Sequence, residues 1–173
     1  MKNYLAVIDM QNDFIDGALG TKEAEAIVGA VAAKIAEAKK TGTFVIFTRD
    51  THYENYFETL EGKKLPVKHC IKESKGWEIS PLLDTDGAVI IDKPTFGSFE
   101  LADAIDEDAD RIELVGLCTD ICVISNALLL RAKFPNKLVT VDAACCAGVT
   151  PASHENALNA MKLCQIDIIN ETK

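Results

Sequence analysis

Apolar residues gather in short runs at Tyr4–Ile8, Thr43–Thr48, Ala88–Ile91, Arg111–Val115, Lys137–Val141 and Gln165–Ile169. These runs are rich in Val, Ile and Leu, and most are continuous rather than alternating. That is the pattern of strands buried on both faces, as in a parallel sheet covered by helices. Helical stretches lie between them. Glu23–Lys40 places Ile27, Val31 and Ile35 on one face and is followed by Gly42, a residue suited to ending a helix. Phe99–Ile105, Asp120–Lys133 and Ala152–Leu163 are the other predicted crossovers. Alternating strands and helices predict a doubly wound α/β domain. The exception is Asp50–Pro81, a long stretch with little periodicity, and loops of that length inside a compact domain are usually functional.

Composition narrows the classes of function. The chain has 173 residues, enough for one domain spanning 1–173, and 48% are hydrophobic, so it can bury a full core. A formal charge of -9 disfavours nucleic acid and anionic membrane surfaces as partners. The apolar run near the N-terminus is too short for a secretion signal, and no run approaches a membrane span. These features predict a cytoplasmic protein. In such a reducing compartment Cys70, Cys118, Cys122, Cys145, Cys146 and Cys164 should be free thiols, most of them small buried residues.

In open α/β sheets ligands bind beyond the carboxyl ends of the strands. The residues found there are Asp9, then Arg49 to His52, Asp92 and Lys93, the run Gly116 to Cys122, and Asp142. Carboxylate, ammonium, imidazole and thiol thus meet on one rim. Cys122 falls in the first turn of a predicted helix, with Thr119 or Asp120 as N-cap, where the helix dipole would favour thiolate and open N–H groups could hold an oxyanion. Position alone leaves a buried packing cysteine equally open. Asp9 emerges from an apolar strand, where a raised pKa suits proton transfer, and Lys93 is its natural charge partner. Taken alone, such an ion pair is more often structural than catalytic.

The segments Asp9-Met10-Gln11-Asn12-Asp13-Phe14, Lys93-Pro94-Thr95-Phe96-Gly97-Ser98-Phe99 and Gly116-Leu117-Cys118-Thr119-Asp120-Ile121-Cys122-Val123 resemble, in order and spacing, the signatures of isochorismatase-like cysteine hydrolases. The resemblance implies a three-layer sandwich around a six-stranded parallel sheet and an Asp9–Lys93–Cys122 triad. It also implies a cis peptide at Leu117–Cys118 that aims the N–H groups of Cys118 and Cys122 at an oxyanion.

Asp50, His52 and His69 fit either an open first-row metal site or a solvated loop. Resemblance to nicotinamidases implies the former, holding zinc above all, or iron or manganese. Glu61 is the expected fourth ligand, with Glu58 or water as the alternatives, and His154 is expected to be a helix-end residue. Phe14 matches a ring contact of that group. Leu65 stands where a ring-stacking Trp is common, so Trp77, with Tyr56 or Phe57, is the expected aromatic wall. Together these features predict hydrolysis of a small carboxamide, nicotinamide to nicotinate and ammonia, through a Cys122 thioester, in pyridine nucleotide salvage. The expected partners are a small amide and further copies of the chain. The alternatives are a metal-free carbamoyl or ureido amidohydrolase, an isochorismatase, and, from another class, a Cys118/Cys122 thiol redox protein.

Overall fold

The computed structural model describes residues 1–171. Strands β1 (Asn3–Ile8), β2 (Phe44–Asp50), β3 (Val89–Lys93), β4 (Arg111–Leu117), β5 (Leu138–Ala147) and β6 (Asp167–Ile169) form one sheet in the order β3-β2-β1-β4-β5-β6. Every adjacent pair is parallel. Helices α1 (Asn12–Ile15), α2 (Lys22–Lys40), α3 (Leu60–Lys64), α4 (Phe99–Asp103), α5 (Ile124–Lys133) and α6 (Pro151–Leu163) connect the strands. The predicted α/β architecture is borne out, including the six-stranded parallel sheet.

Two apolar cores explain why the runs are continuous. One face of the sheet, including Tyr4, Ala6, Ile8, Ile112 and Leu114, packs on Leu101, Ala127, Leu130 and Met161 of α4, α5 and α6. The other, including Leu5, Val7, Val45, Phe47 and Val115, packs on Ile27, Val28, Val31 and Ile35 of α2. Residues of the central strands therefore meet apolar packing on both faces of the sheet. Gly42, at φ +72, follows Thr41, the C-cap of α2, and Thr43 N–H bonds back to the Ala38 carbonyl, closing the helix as predicted.

The strand order reverses direction between β1 and β4, the place where such sheets open a crevice. Ile8 and Gly116 are paired there. Gly116 has φ +117, and a Cβ on it would lie 2.1 Å from the Ile8 carbonyl oxygen, so only glycine allows this approach.

One boundary differs in a way that matters. β5 does not end before Asp142 but runs on through Ala147. Asp142 is therefore an interior strand residue, away from the rim. Lys34 of α2 reaches it at 2.6 Å, and this long-range ion contact lets a carboxylate sit inside the strand. Among the described residues no helix is long and apolar enough to cross a membrane.

Candidate active site

Asp9 leaves β1 with φ 45 and is completely buried. Its N–H donates to Thr48 Oγ1 at 3.2 Å, and the Thr48 hydroxyl donates to Asp9 Oδ1 at 2.7 Å. Lys93, the last residue of β3 and also fully buried, reaches past the end of β2. Its Nζ lies 2.6 Å from Asp9 Oδ2, 3.7 Å from Asp50 Oδ1 and 3.4 Å from Cys122 Sγ, and it donates to the Thr95 carbonyl at 3.0 Å. One ammonium therefore joins two carboxylates and the thiol. The triad implied by the resemblance comes together in space.

The electrostatics follow from burial. Desolvation raises the Asp9 pKa, against the opposing pull of Lys93. Desolvation lowers that of Lys93, but Asp9, Cys122 and Asp50 outweigh it and hold the ammonium charged. Cys122 corrects the expectation from the helix dipole. It is 4% exposed, and burial together with Asp9 pushes its thiol well above the ordinary value, although Lys93 opposes this. Partial charges at a helix end do not outweigh full desolvation beside a carboxylate.

The turn carrying Cys122 also differs from expectation. Cys118, not Thr119 or Asp120, occupies the N-cap, and Thr119–Val123 form a wide π-type turn ahead of α5. The Cys118 carbonyl accepts from the N–H groups of Ile121 and Val123, both at 3.1 Å. The Leu117–Cys118 peptide is cis. Asn126, which sequence reasoning missed, donates to the Cys122 carbonyl at 2.8 Å and to Phe96 O at 3.1 Å, and accepts from Ser98 N–H. It ties the Cys122 turn to the Lys93 segment.

A second cluster adjoins the first. One ligand-type atom from each of Asp50, His52, Glu61 and His69 lies within 4.8 Å of the others. His52 Nε2 is 3.0 Å from Asp50 Oδ2 and 3.5 Å from Glu61 Oε1, while His69 Nε2 is 3.5 Å and 3.7 Å from the same two oxygens. His69 Nδ1 faces the Val67 carbonyl at 2.8 Å, which fixes the ring and leaves Nε2 for the centre. Asp50 Oδ1 is buried and has no hydrogen-bond partner among the described residues. Two imidazoles and two carboxylates converging within 4.8 Å fit a divalent first-row cation. Burial lowers the His52 pKa, but Asp50 and Glu61 more than reverse this and bring it to about 9. Burial acts to raise the Asp50 pKa, but His52, His69 and Lys93 hold that carboxyl below its ordinary value.

Glu61 reaches the cluster because α3, unforeseen in the aperiodic stretch, begins just before it, with Thr59 Oγ1 accepting from Gly62 N–H. A Cβ at Gly62 would lie 2.1 Å from the Tyr56 carbonyl oxygen. Glu58 is exposed and outside the cluster, and half-buried His154, which lies in α6, is outside it too. Gln11, another residue the sequence reading passed over, accepts from Asp50 N–H at 2.7 Å and donates to the carbonyls of Asp50 and Trp77 at 2.8 Å each. A buried amide inside a signature segment was the available signal. Asp13 fixes the other side of the loop, accepting from Cys70 N–H at 2.8 Å.

Both clusters open on one cavity of about 670 Å³. Phe14, Leu65, Cys118 and Cys122 line it, together with Asp50, His52, Glu61 and His69. Trp77 does not, which corrects the expected aromatic wall. Its ring lies under the Arg49 guanidinium at 3.6 Å, and its indole N–H donates to Thr51 Oγ1 at 2.9 Å. Tyr56 packs edge-on against His52 and His69 behind the cluster, and Phe57 is exposed. Phe96 and Val149 supply apolar wall instead.

Residues 3–172 match the family model of the isochorismatase domain. The chain belongs to the isochorismatase family. As an isochorismatase-family hydrolase it is similar to the pyrazinamidase of Pyrococcus horikoshii solved in complex with zinc, with TM-score 0.87 and 30% identity over 99% of this chain and 100% of that one. It is also similar to a nicotinamidase/pyrazinamidase from Bacillus subtilis, with TM-score 0.84 and 25% identity over 97% and 99% of the two chains. The N-carbamoylsarcosine amidase of Thermoplasma acidophilum aligns with TM-score 0.79 and 25% identity over 100% and 99%. No curated protein matches the chain significantly.

Proposed function

We propose that this chain hydrolyses a small carboxamide through a Cys122 thioester, with nicotinamide as the leading substrate. The single observation that carries this reading is Lys93 Nζ, held between Asp9 Oδ2 at 2.6 Å and Cys122 Sγ at 3.4 Å, with Cys122 lining the cavity. Asp9 takes the Cys122 proton. Its raised pKa makes it a better base than an ordinary carboxylate, and Lys93 stabilises the thiolate as it forms. The thiolate attacks the carboxamide carbon and the negative charge moves to the carbonyl oxygen, which the N–H groups of Cys118 and Cys122 receive. The C–N bond then breaks, and Asp9 returns the proton to the departing ammonia. Water attacks the thioester, gives its proton to Asp9, and releases the acid as the proton returns to Cys122.

Asp50, His52, Glu61 and His69 would hold a divalent metal, zinc in the leading reading. Bound there, it supplies a Lewis-acidic anchor for a donor atom of the substrate. Those residues orient the amide towards Cys122, while Phe14 and Leu65 pack against its body. The zinc complex of the similar pyrazinamidase supports this assignment.

A carbamoyl amide is the second reading, favoured by the similar carbamoylsarcosine amidase and by Leu65 in place of a stacking Trp. The redox reading is disfavoured, because burial lifts the Cys118 thiol to about 12 and starves the pair of thiolate. Ammonia release from nicotinamide, pyrazinamide, carbamoyl and ureido compounds, with and without chelation, tests the proposal. Turnover of the pyridine amides that falls on chelation is expected. Turnover confined to carbamoyl or ureido compounds and indifferent to chelation would replace it with the second reading.

A further inference from the structure

The β5–α6 connection is bonded to the nucleophile turn at two points. Thr119, the residue after Cys118, is completely buried, and its Oγ1 lies 2.7 Å from Nδ1 of His154. Asp120, next in the turn, accepts the Val149 N–H at 3.1 and 3.3 Å, and Val149 lines the cavity. The connection is built to fit closely. A Cβ at Gly148 would lie 2.8 Å from His154 N, and the start of α6 is fixed by a reciprocal Thr150–Ser153 capping box. His154 is half-buried, and burial lowers its pKa, with Asp120 and Glu155 opposing. Nothing in the proposed chemistry uses it.

We infer that His154 is a positioning residue: through Thr119 it fixes the turn between the Cys118 N–H and Cys122, and with it the oxyanion donors relative to the thiol. The role rests on the reading of Cys122 as nucleophile. Thr119 immediately follows one proposed donor and lies in the same turn as the other. A hydroxyl released inside a dry site must find another partner, and the turn is what yields. Misplacement by about 1 Å at a reacting centre costs on the order of a hundredfold in rate.

Two readouts move in opposite directions if this is right. In His154→Ala and Thr119→Val, kcat for nicotinamide or the best amide of the panel should fall roughly 10- to 100-fold with KM little changed. Alkylation of Cys122 by iodoacetamide, followed by mass spectrometry well below the unfolding midpoint, should become faster, because a loosened turn exposes a buried thiol. His154→Asn, whose amide offers donor and acceptor near the Nδ1 position, should recover most of kcat. The double variant should be no worse than either single one. If His154→Ala folds poorly, Thr119→Val and His154→Asn carry the same test. A purely structural His154 would lower the unfolding midpoint yet leave kcat and alkylation within about twofold of the parent, and that result overturns the inference. Full turnover by Cys122→Ala would instead overturn the nucleophile reading, a separate outcome.

Discussion

Lys93 and Lys34 each sit between two carboxylates, and they differ in a way that separates the proposed reaction centre from a brace. Lys93 has 0% side-chain exposure, as has Asp9, with Asp50 at 2%. Asp9 Oδ2 and Asp50 Oδ1 are both buried without a well-directed hydrogen bond, held only by the ammonium. Lys34 is 26% exposed and contacts Glu113 at 2.7 Å and Asp142 at 2.6 Å. There Asp142 is satisfied on both oxygens, by Ala144 N–H at 3.1 Å and Asn170 Nδ2 at 2.9 Å. An ion pair by itself therefore says little. Fully buried carboxylate oxygens that meet an ammonium beside a thiol lining a cavity support the proposal that charge moves there.

The largest expected effects are at the Lys93 cluster. Cys122→Ala should abolish amide turnover, and Asp9→Asn and Lys93→Ala should each lose on the order of a thousandfold or more, read from initial rates of ammonia release. The Asp9→Asn/Lys93→Ala double variant should be little worse than either single one, because the residues act as a unit. Multiplying losses would break the comparison by making Lys93 a second brace. Lys93→Ala should also cost about 3–5 kcal/mol of stability, since two buried carboxylates lose their cation.

Next comes the metal cluster. His52→Ala should lose bound first-row metal by elemental analysis and raise KM strongly while leaving Cys122 alkylation intact. The sign of the pH effect follows from His52. Its pKa of about 9 without metal means that a proton must leave for a cation to bind, so affinity should climb tenfold per pH unit up to that value and then level off. An unperturbed histidine would end the climb near 6.5. Metal titrations from pH 6 to 10 distinguish the two.

The smallest effect on turnover belongs to the brace. Lys34→Met should leave kcat unchanged but cost about 1–3 kcal/mol, because Asp142 stays buried without its cation. Burial lowers the Lys34 pKa, yet Asp142 and Glu113 raise it on balance above its ordinary 10.5. A raised folded pKa means that the contribution is complete below 10.5 and is lost as pH rises through the folded value. The stability gap between parent and variant should therefore hold through neutral pH and close only in strong alkali.

Much of this was legible in the chain. The six apolar runs are the six strands because buried parallel strands need apolar residues on both faces. Asp9, Lys93 and Cys122 were readable because strand ends define one rim and the signature segments share an order. What was not legible depended on distant partners. Asp142 looked like a strand end because nothing local announces that Lys34, a helix and many residues away, neutralises it. Trp77 looked like a substrate wall because Arg49, which covers its ring, belongs to another element. Thr48 and Gln11 carry no chemistry of their own and matter only through the carboxylates they hold. The Cys122 pKa was misjudged because a helix start suggests stabilised thiolate, whereas the depth of burial depends on the whole fold.

The most direct measurement is rapid acid quench of the enzyme during turnover of its best amide, followed by mass spectrometry of the peptide bearing Cys122. The predicted result is the acyl group of the substrate on Cys122, absent from Cys118 and absent in Cys122→Ala. Steady ammonia release with no acyl adduct, and turnover surviving in Cys122→Ala, would contradict the account.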